Sequence, residues 1–247
     1  MSTLVKIHTQ LWLLFFMATI VVIGLTFQVV AYFPVYALSF VFPRLKGKHD
    51  TVLVIGIGLL MRVQPWFNGD IKIDLPVTDG RGILLVSNHR SHLDAFILLS
   101  QIRGIRILAK GSLMRIPFLS FMMRTTRQIG VERGRLDSWM RAMDEVKLRL
   151  KLGERVHVFP EMTRCPPGFQ GLQPFTAGPF LAAMQENAVV VPLVFQGTDD
   201  VWPRGSMGLN FRRPVTVRTL APLNASDFSS VDRLRGEVHR RIEAALL

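Results

Sequence analysis

The sequence predicts an α/β domain, a mixed sheet flanked by helices, preceded by an N-terminal membrane-embedded helix or two-helix hairpin. Three observations predict it. Apolar strand-like runs alternate with amphipathic helices from about residue 70 onward, and a long uncharged stretch precedes them. The length of 247 residues is enough for one such domain with its own core.

The predicted strands are short apolar runs bounded by turn residues. They cover residues 83–87, 105–109, 155–159, 189–195 and 215–219, and residues 71–75 alternate like a further strand. Helices are predicted where apolar residues recur at helical spacing, at 93–102, 137–152, 178–186 and 230–246. In the helix at 137–152, the apolar stripe is predicted to face the core, and Gly153 ends the helix.

The stretch from Leu11 to Pro43 contains no charged residue and is long enough to span or enter a bilayer. One interpretation is a single spanning helix that ends near Ala31. Another is a pair of shorter helices, broken around Pro34, that form a hairpin in one leaflet. A buried pair of core helices is the structural alternative. A secretory signal peptide is disfavoured because no Ala-x-Ala cleavage site follows.

Basic residues flank this stretch unequally. Arg44, Lys46 and Lys48 follow it, whereas only Lys6 precedes it. The positive-inside rule therefore predicts that the rest of the chain lies on the cytoplasmic side of the inner (cytoplasmic) membrane. We expect a membrane anchor and basic linker at residues 1–48 and a second domain at residues 49–247.

The net charge of +12 indicates an anionic partner. A basic linker beside an apolar anchor favours a phospholipid membrane over nucleic acid. The aromatic residues are mostly phenylalanines within apolar runs, which also argues against nucleic acid. A single cysteine, Cys165, cannot form an intramolecular disulfide and fits a reducing compartment.

The most informative segment is Asn-His-Arg-Ser-His-Leu-Asp at residues 88–94, directly after a predicted strand. If His89 lies on the turn and Asp94 in the first helical turn, the carboxylate can orient the imidazole as a general base. The alternative is structural, because Ser91 and Asp94 fit a capping box and His89 is then a polar loop residue.

Polar residues follow two other predicted strands, where open α/β sheets build their sites. Arg133 and Arg135 flank Gly134, and guanidinium groups bind phosphate well, although a solvated basic turn is the simpler interpretation. The sequence Phe-Pro-Glu-Met-Thr-Arg at residues 159–164 places an acid, a hydroxyl and a base after a strand. Residues 189–194 form a buried strand that contains a proline.

These four segments, in this order, resemble the lysophosphatidic acid acyltransferase family of glycerophospholipid acyltransferases. That family carries His-x4-Asp, an arginine-bearing block, Phe-Pro-Glu-Gly-Thr-Arg and a Val-Pro block. The third block matches at five of six positions, and the resemblance covers roughly residues 70–200. The segments 109–118 and 174–180 also look like the family.

The resemblance implies that the chain transfers a fatty acyl group from a thioester of CoA or acyl carrier protein to a lysophospholipid hydroxyl. The expected acceptor is 1-acylglycerol 3-phosphate, which gives phosphatidic acid in phospholipid biosynthesis. His89 would be the general base and Asp94 would orient it, while backbone amides at the helix start stabilise the oxyanion. The residues expected to bind substrate are Asn88, Arg133, Glu161, Thr163 and Arg164. No metal and no cofactor beyond the acyl donor are expected.

The sequence departs from the family at positions that affect the acceptor more than the reaction. Met162 replaces the usual glycine and would be strained if that position needs a positive φ. Thr176 stands where many members carry lysine, which removes a charge. An acyltransferase for a different lysolipid and a non-catalytic membrane-binding relative are therefore the alternatives.

Other functions fit the sequence less well. A serine or cysteine hydrolase needs an activated nucleophile, and the sequence has no Gly-x-Ser-x-Gly elbow, while Ser91 and Cys165 are explained by the turn and the third block. A metal site would use His89, His92 and Asp94, but no second cluster with metal-ligand spacing accompanies them.

Overall fold

The structure is a computed structural model that describes residues 3–45, 47–117, 119–166, 168–169 and 171–247. Lys46 of the predicted basic linker and Phe118 of the family-like segment lie outside these residues. The chain divides into two compact units. A helical unit contains Met1–Asp70, Arg90–Gly104 and Gly197–Val215, and a sheet unit contains Ile71–His89, Ile105–Gln196 and Thr216–Leu247.

The described residues form nine α-helices and eight strands. The helices are α1 (Thr3–Phe27), α2 (Phe33–Val41), α3 (Lys48–Arg62), α4 (Leu93–Gln101), α5 (Leu119–Thr125), α6 (Leu136–Lys151), α7 (Gly178–Gln185), α8 (Thr198–Val201) and α9 (Val231–Leu246). The strands are β1 (Asn68–Lys72), β2 (Ile83–Ser87), β3 (Ile105–Lys110), β4 (Ile129–Val131), β5 (Arg155–Val158), β6 (Val189–Gln196), β7 (Pro214–Thr219) and β8 (Leu223–Asn224).

The strands form one mixed sheet in the order β1-β7-β6-β2-β5-β3-β4, with β8 added to β6. Strand β2 lies in the middle and pairs in parallel with both β5 and β6. Strand β3 is parallel to β5 and β4, whereas β7 and β8 are antiparallel to β6. The predicted fold class, a mixed sheet flanked by helices, is therefore confirmed.

One face of this sheet carries the main hydrophobic core. Val86 and Val158 occupy opposite positions on β2 and β5, and both are fully buried. Helices α6, α7 and α9 cover this face, with Val146 of α6 and Val238 of α9 inaccessible to solvent. Helix α6 ends before Gly153, whose φ of +72° is the left-handed conformation predicted for a C-terminal glycine.

The five predicted strands and four predicted helices begin and end within one residue of their predicted limits. The predicted strand at 71–75 is displaced toward the N-terminus and appears as β1. Strand β4 was predicted only as the strand before Arg133, without limits, and helix α5 was not predicted, because elements of three and seven residues carry too little periodicity to recognise.

The N-terminal stretch is one helical run from α1 through α2, and it neither ends near Ala31 nor breaks at Pro34. A π-helical turn at Gln28–Tyr32 joins α1 to α2, and the Phe33 amide bonds the Gln28 carbonyl. Pro34 lies in the first turn of α2, and the wide turn before it accommodates the proline without interrupting the helix. Both predicted limits of this segment are therefore wrong.

The N-terminal helices nevertheless form a hairpin, because α3 returns antiparallel to α1 after the chain leaves α2 at Val41. Gly56 of α3 lies where an added Cβ would meet the Phe27 ring at 2.5 Å. Farther along, the Gln64 side chain donates to Thr19 Oγ1 at 2.8 Å. Gly56 thus allows α1 and α3 to pack closely.

The run Leu4–Val41 is long and apolar enough to cross a membrane, with 38 residues and a mean hydropathy of 2.4. A helix of 38 residues is about 57 Å long, longer than the roughly 30 Å hydrocarbon core of a bilayer. Only 11% of its most apolar window is buried within the protein, and the exposed side chains include Leu14, Val22 and Phe40. The alternative of a buried pair of core helices is therefore disfavoured.

Candidate active site

The polar segments predicted to be functional follow parallel strands of the sheet unit. His89 lies two residues after the end of β2, Arg133 follows β4, and Glu161 follows β5. Because these strands are parallel and linked through β3, their carboxyl ends lie at one edge of the sheet. These three residues therefore converge, although up to 72 positions separate them in the sequence.

Three contacts hold His89 in the sheet unit. Its backbone amide donates to Glu161 Oε1 at 2.8 Å, and its carbonyl accepts from the Cys165 amide at 2.8 Å. Its imidazole stacks on the Phe159 ring, with ring centres 3.9 Å apart and planes inclined by 18°. The side chain is half-buried, so the ring is oriented and still reached by solvent.

The loop of residues 159–165, which contacts His89, begins with a tight turn. The Met162 amide donates to the Phe159 carbonyl at 3.0 Å, which places Pro160 at the turn position where its fixed φ is favourable. Met162 itself has a φ of +57°, so this position needs the left-handed conformation that favours glycine. The strain predicted for a methionine here is present.

Glu161 is buried, with 7% of its surface exposed, and its carboxylate accepts three hydrogen bonds. Besides the His89 amide, the Gln173 amide and side chain donate to Oε2 at 3.0 and 3.2 Å. A buried carboxylate that accepts several N–H groups fixes the backbone around it. The Gln173 contacts were not predicted, because nothing in the local sequence marks that residue.

A second histidine, His157, contacts the same phenylalanine. Its ring meets Phe159 edge to face at 4.4 Å, and its Nε2 lies 2.9 Å from the Ser87 hydroxyl. The ring is fully buried, and Nδ1 has no hydrogen-bond partner among the described residues. Burial, assisted by nearby His89, lowers the pKa of His157 to about 3. His157 is therefore neutral near pH 7.

Asn88 is fully buried between β2 and β6. Its side-chain amide donates to the Phe195 carbonyl at 2.8 Å and accepts from the Phe195 amide at 2.9 Å. These bonds fix the end of β2 and favour a structural role. The contacts do not support the predicted role of Asn88 in substrate binding, which stays a prediction.

The segment after His89 belongs to the helical unit, where Asp94 organises the start of α4. Its Oδ2 accepts from the amides of Arg90 and Ser91 at 2.8 and 2.9 Å, and the residue is fully buried. The structural alternative, a carboxylate that caps the helix start, is thus present. Because Asp94 occupies these two amides, they do not serve as the expected oxyanion donors in this conformation.

The sheet unit contains an open pocket of about 470 Å³ at the ends of β4 and β5. It is lined by Val131, Glu132, Arg133, Gly134, Arg135, Leu136, Trp139, Glu161, Met162, Thr163 and Thr176. The pocket thus unites three of the predicted substrate-binding residues, whereas Asn88 and Arg164 are not among its lining residues. The Thr176 hydroxyl is buried and has no hydrogen-bond partner among the described residues.

The two arginines of the pocket differ in their charge environment. Arg135 pairs with Asp137 at 2.8 Å and with Glu132 at 3.3 Å. Hydrogen bonds from Arg135 and Arg141 lower the pKa of Asp137 to about 2. Arg133 is exposed and forms no hydrogen bond or ion pair within the described part of the chain. Arg133 is therefore the cation available to an anionic ligand.

Comparisons with known proteins identify the family of the chain. The sequence profile of the Acyltransferase family matches residues 70–196, which contain every predicted site residue. A chloroplastic 1-acyl-sn-glycerol-3-phosphate acyltransferase of Brassica napus is 30% identical over 190 residues, which cover 74% of this chain and 52% of that protein. The chain therefore spans about half the length of this relative.

A bacterial relative is matched over more of its length. The 1-acyl-sn-glycerol-3-phosphate acyltransferase of Haemophilus influenzae is 23% identical over 204 residues, with 78% of this chain and 83% of that protein covered. The crystal structure of PlsC, the 1-acyl-sn-glycerophosphate acyltransferase of Thermotoga maritima, superposes with a TM-score of 0.77 at 25% identity. It covers 98% of this chain and 95% of that one. Because the family profile matches more than half of the sequence, the chain belongs to the Acyltransferase family, as its resemblance to the lysophosphatidic acid acyltransferases predicted.

Proposed function

We propose that the chain transfers a fatty acyl group from an acyl thioester to the free hydroxyl of 1-acylglycerol 3-phosphate, giving phosphatidic acid. The observation that carries the proposal is the way His89 is held. Glu161 and Phe159 fix its position, and the pocket that Glu161 also lines contains the exposed Arg133. The names of the relatives agree with it. In this proposal residues 1–48 anchor the protein to the cytoplasmic face of the inner membrane, and residues 49–247 catalyse the reaction.

His89 acts as the general base. Its imidazole takes the proton from the acceptor hydroxyl while that oxygen attacks the thioester carbonyl. When the carbon–sulfur bond breaks, the imidazolium returns the proton to the sulfur, so the products are an ester and a free thiol. The thioester is already activated, and no covalent protein intermediate is needed.

Asp94 orients the imidazole and stabilises the imidazolium that forms. Its two hydrogen bonds to backbone amides are compatible with this second role, because one carboxylate accepts several hydrogen bonds at once. The Phe159 stacking and the Glu161 bond support a fixed ring plane for His89.

The acceptor phosphate binds in the pocket at the ends of β4 and β5. Arg133 donates to it in the bidentate geometry that suits phosphate, with Thr163 beside it. Arg164 contributes from the same loop. Glu161 holds that loop in shape through Gln173 and is not a direct phosphate ligand, because like charges repel.

Thiol release from a long-chain acyl-CoA by the detergent-solubilised protein tests the proposal. We expect release that depends on lysophosphatidic acid and is lost in His89→Ala. His92→Ala is the matched control, since His92 is exposed on the same segment and is expected to keep the activity. If acyl-CoA gives no release, acylated acyl carrier protein is the second donor.

The outcomes separate the alternatives. Release without any acceptor indicates a thioesterase. Release with another lysolipid but not with lysophosphatidic acid means a different acceptor. No release with either donor and any lysolipid, together with intact membrane binding, indicates a non-catalytic relative.

A further inference from the structure

We propose that the loop of residues 203–213 is a second membrane contact, which binds an anionic lipid surface beside the start of α1. The inference rests on the membrane association of α1 proposed above. It concerns only the helical unit, which contains both α1 and this loop.

The loop is seated on the first turns of α1. The Leu209 amide donates to the Thr9 carbonyl at 2.9 Å. A Cβ added to Gly208 would lie 2.6 Å from Thr9 Oγ1, so the two backbones are in close contact. The Phe211 ring stacks on Trp12, with ring centres 4.7 Å apart. The position of α1 in the membrane therefore determines the position of the loop.

The contacted turns of α1 carry the residues of a membrane boundary. Lys6 is the only charged residue of the run before the uncharged stretch that begins at Leu11. The Trp12 indole donates to His8 Nε2 at 2.9 Å, which gives an aromatic side chain with a satisfied polar group. Tryptophan of this kind is typical of the headgroup level of a bilayer. The loop that packs on these residues lies at the same depth.

The loop presents an apolar tip among cations. Met207 is 74% exposed and Phe211 is 39% exposed, although both are apolar. Arg212 lies over the Phe211 ring at 5.7 Å, and Arg213 follows it. The sequence of residues 203–213 contains three arginines and no acidic residue, and residues 3–12 at the start of α1 contain one lysine and no acidic residue. Apolar side chains between basic ones are the composition of interfacial segments that bind anionic lipids.

The base of the loop is firmly held. The Ser91 hydroxyl donates to the Trp202 carbonyl at 3.0 Å, and the Trp202 ring lies 5.8 Å from the Phe16 ring of α1. Phe16 is fully buried and also contacts Trp66 and Phe96. Because the base of the loop packs on this aromatic cluster, the exposed tip has a defined conformation.

Site-specific fluorescence in vesicles tests the proposal. In full-length Cys165→Ser protein, single cysteines replace Met207, Val77 or Val22 and carry an environment-sensitive probe. Val77 is the matched control, because it is apolar and 99% exposed. Val22 reports whether α1 is inserted. The vesicles contain phosphatidylcholine with or without phosphatidylglycerol, and a spin-labelled lipid serves as the quencher.

We expect the lipid quencher to reduce the fluorescence of the Met207 probe at least threefold more than that of the Val77 probe. Each arginine contributes about fivefold to binding an anionic surface. Quenching at Met207 should therefore weaken without phosphatidylglycerol or in Arg212→Gln/Arg213→Gln protein.

Equal quenching at Met207 and Val77, with a quenched Val22 probe, overturns the proposal and leaves the anchor intact. An unquenched Val22 probe overturns the membrane association itself, and the loop proposal with it. A Met207 probe shielded from both lipid and aqueous quenchers means that protein, such as a second copy, covers the loop. Quenching that is independent of phosphatidylglycerol overturns the anionic preference.

Discussion

Two histidines contact the ring of Phe159, and their environments differ completely. His89 stacks on the ring face at 3.9 Å and is half-buried, with its backbone held by Glu161 and Cys165. His157 meets the ring at 4.4 Å, is fully buried, and lies within hydrogen-bond distance of the Ser87 hydroxyl. The same side-chain type thus occurs once at a solvent-reachable strand end and once inside a strand.

The difference shows how burial decides what a histidine can do. The imidazole of His157 is held neutral, because taking its cation out of water lowers its pKa to about 3. Such a ring cannot exchange protons with a substrate. His89 keeps access to solvent while its backbone is fixed, which is the combination that a general base needs. Four substitutions or conditions test this contrast.

The largest effect is expected for His89→Ala. Loss of a general base lowers the rate of acyl transfer by about 100-fold to 10,000-fold. His157→Leu, corrected for the folded fraction, should stay within about tenfold of the wild-type rate, because the His157 side chain is fully buried. The measurement is the rate of acyl transfer at saturating substrate. An equal loss in both variants would remove the functional contrast between the two histidines.

The next effect is expected for Glu161→Ala. It leaves the amides of His89 and Gln173 without their acceptor, and unsatisfied buried amides cost about 3 kcal/mol together. The midpoint of denaturant unfolding and the transfer rate should both fall. Glu161→Gln keeps one side-chain oxygen, so its unfolding midpoint and transfer rate should lie between those of the wild type and of Glu161→Ala. A Glu161→Ala protein with wild-type stability and activity would show that the hydrogen bond between Glu161 and the His89 amide is dispensable.

Acid should destabilise the fold through His157. Its pKa is about 6.5 in the unfolded chain and about 3 in the folded one. Between these values the unfolded state binds one more proton, so stability falls by about 1.4 kcal/mol per pH unit as the pH drops below 6.5. Unfolding midpoints measured from pH 7.5 to 4.5 should show this slope. His157→Leu should flatten this slope, and an unchanged slope in that variant would contradict the prediction.

The smallest effect concerns Met162, which lies in the loop that holds His89. Both Met162→Gly and Met162→Ala remove the side chain from the pocket. Only glycine adopts a φ of +57° without strain, so the glycine variant should be more stable than the alanine variant by about 1 kcal/mol. Thermal unfolding of the two proteins measures the difference. The reverse order would mean that the turn relaxes when the side chain is lost.

The sequence predicted the sheet unit well because its signals are local. Strands such as 83–87 are buried on both faces and therefore appear as short apolar runs between turn residues. The predicted polar residues after β2, β4 and β5 converge because parallel strands bring their carboxyl ends to one edge. The N-terminal helices were predicted less well, because a run that is apolar on all sides has no periodicity to mark where it turns.

The sequence by itself determined the fold class, the limits of the principal strands and helices, the family, and the residues that gather at the sheet edge. Only the tertiary structure decided three features. Glu161 accepts a hydrogen bond from the His89 amide, His157 is buried and neutral, and the 203–213 loop packs on α1. The physical reason is the distance along the chain. Secondary structure follows from neighbouring residues, whereas each of these contacts joins residues that lie far apart in sequence or depends on burial by the whole core.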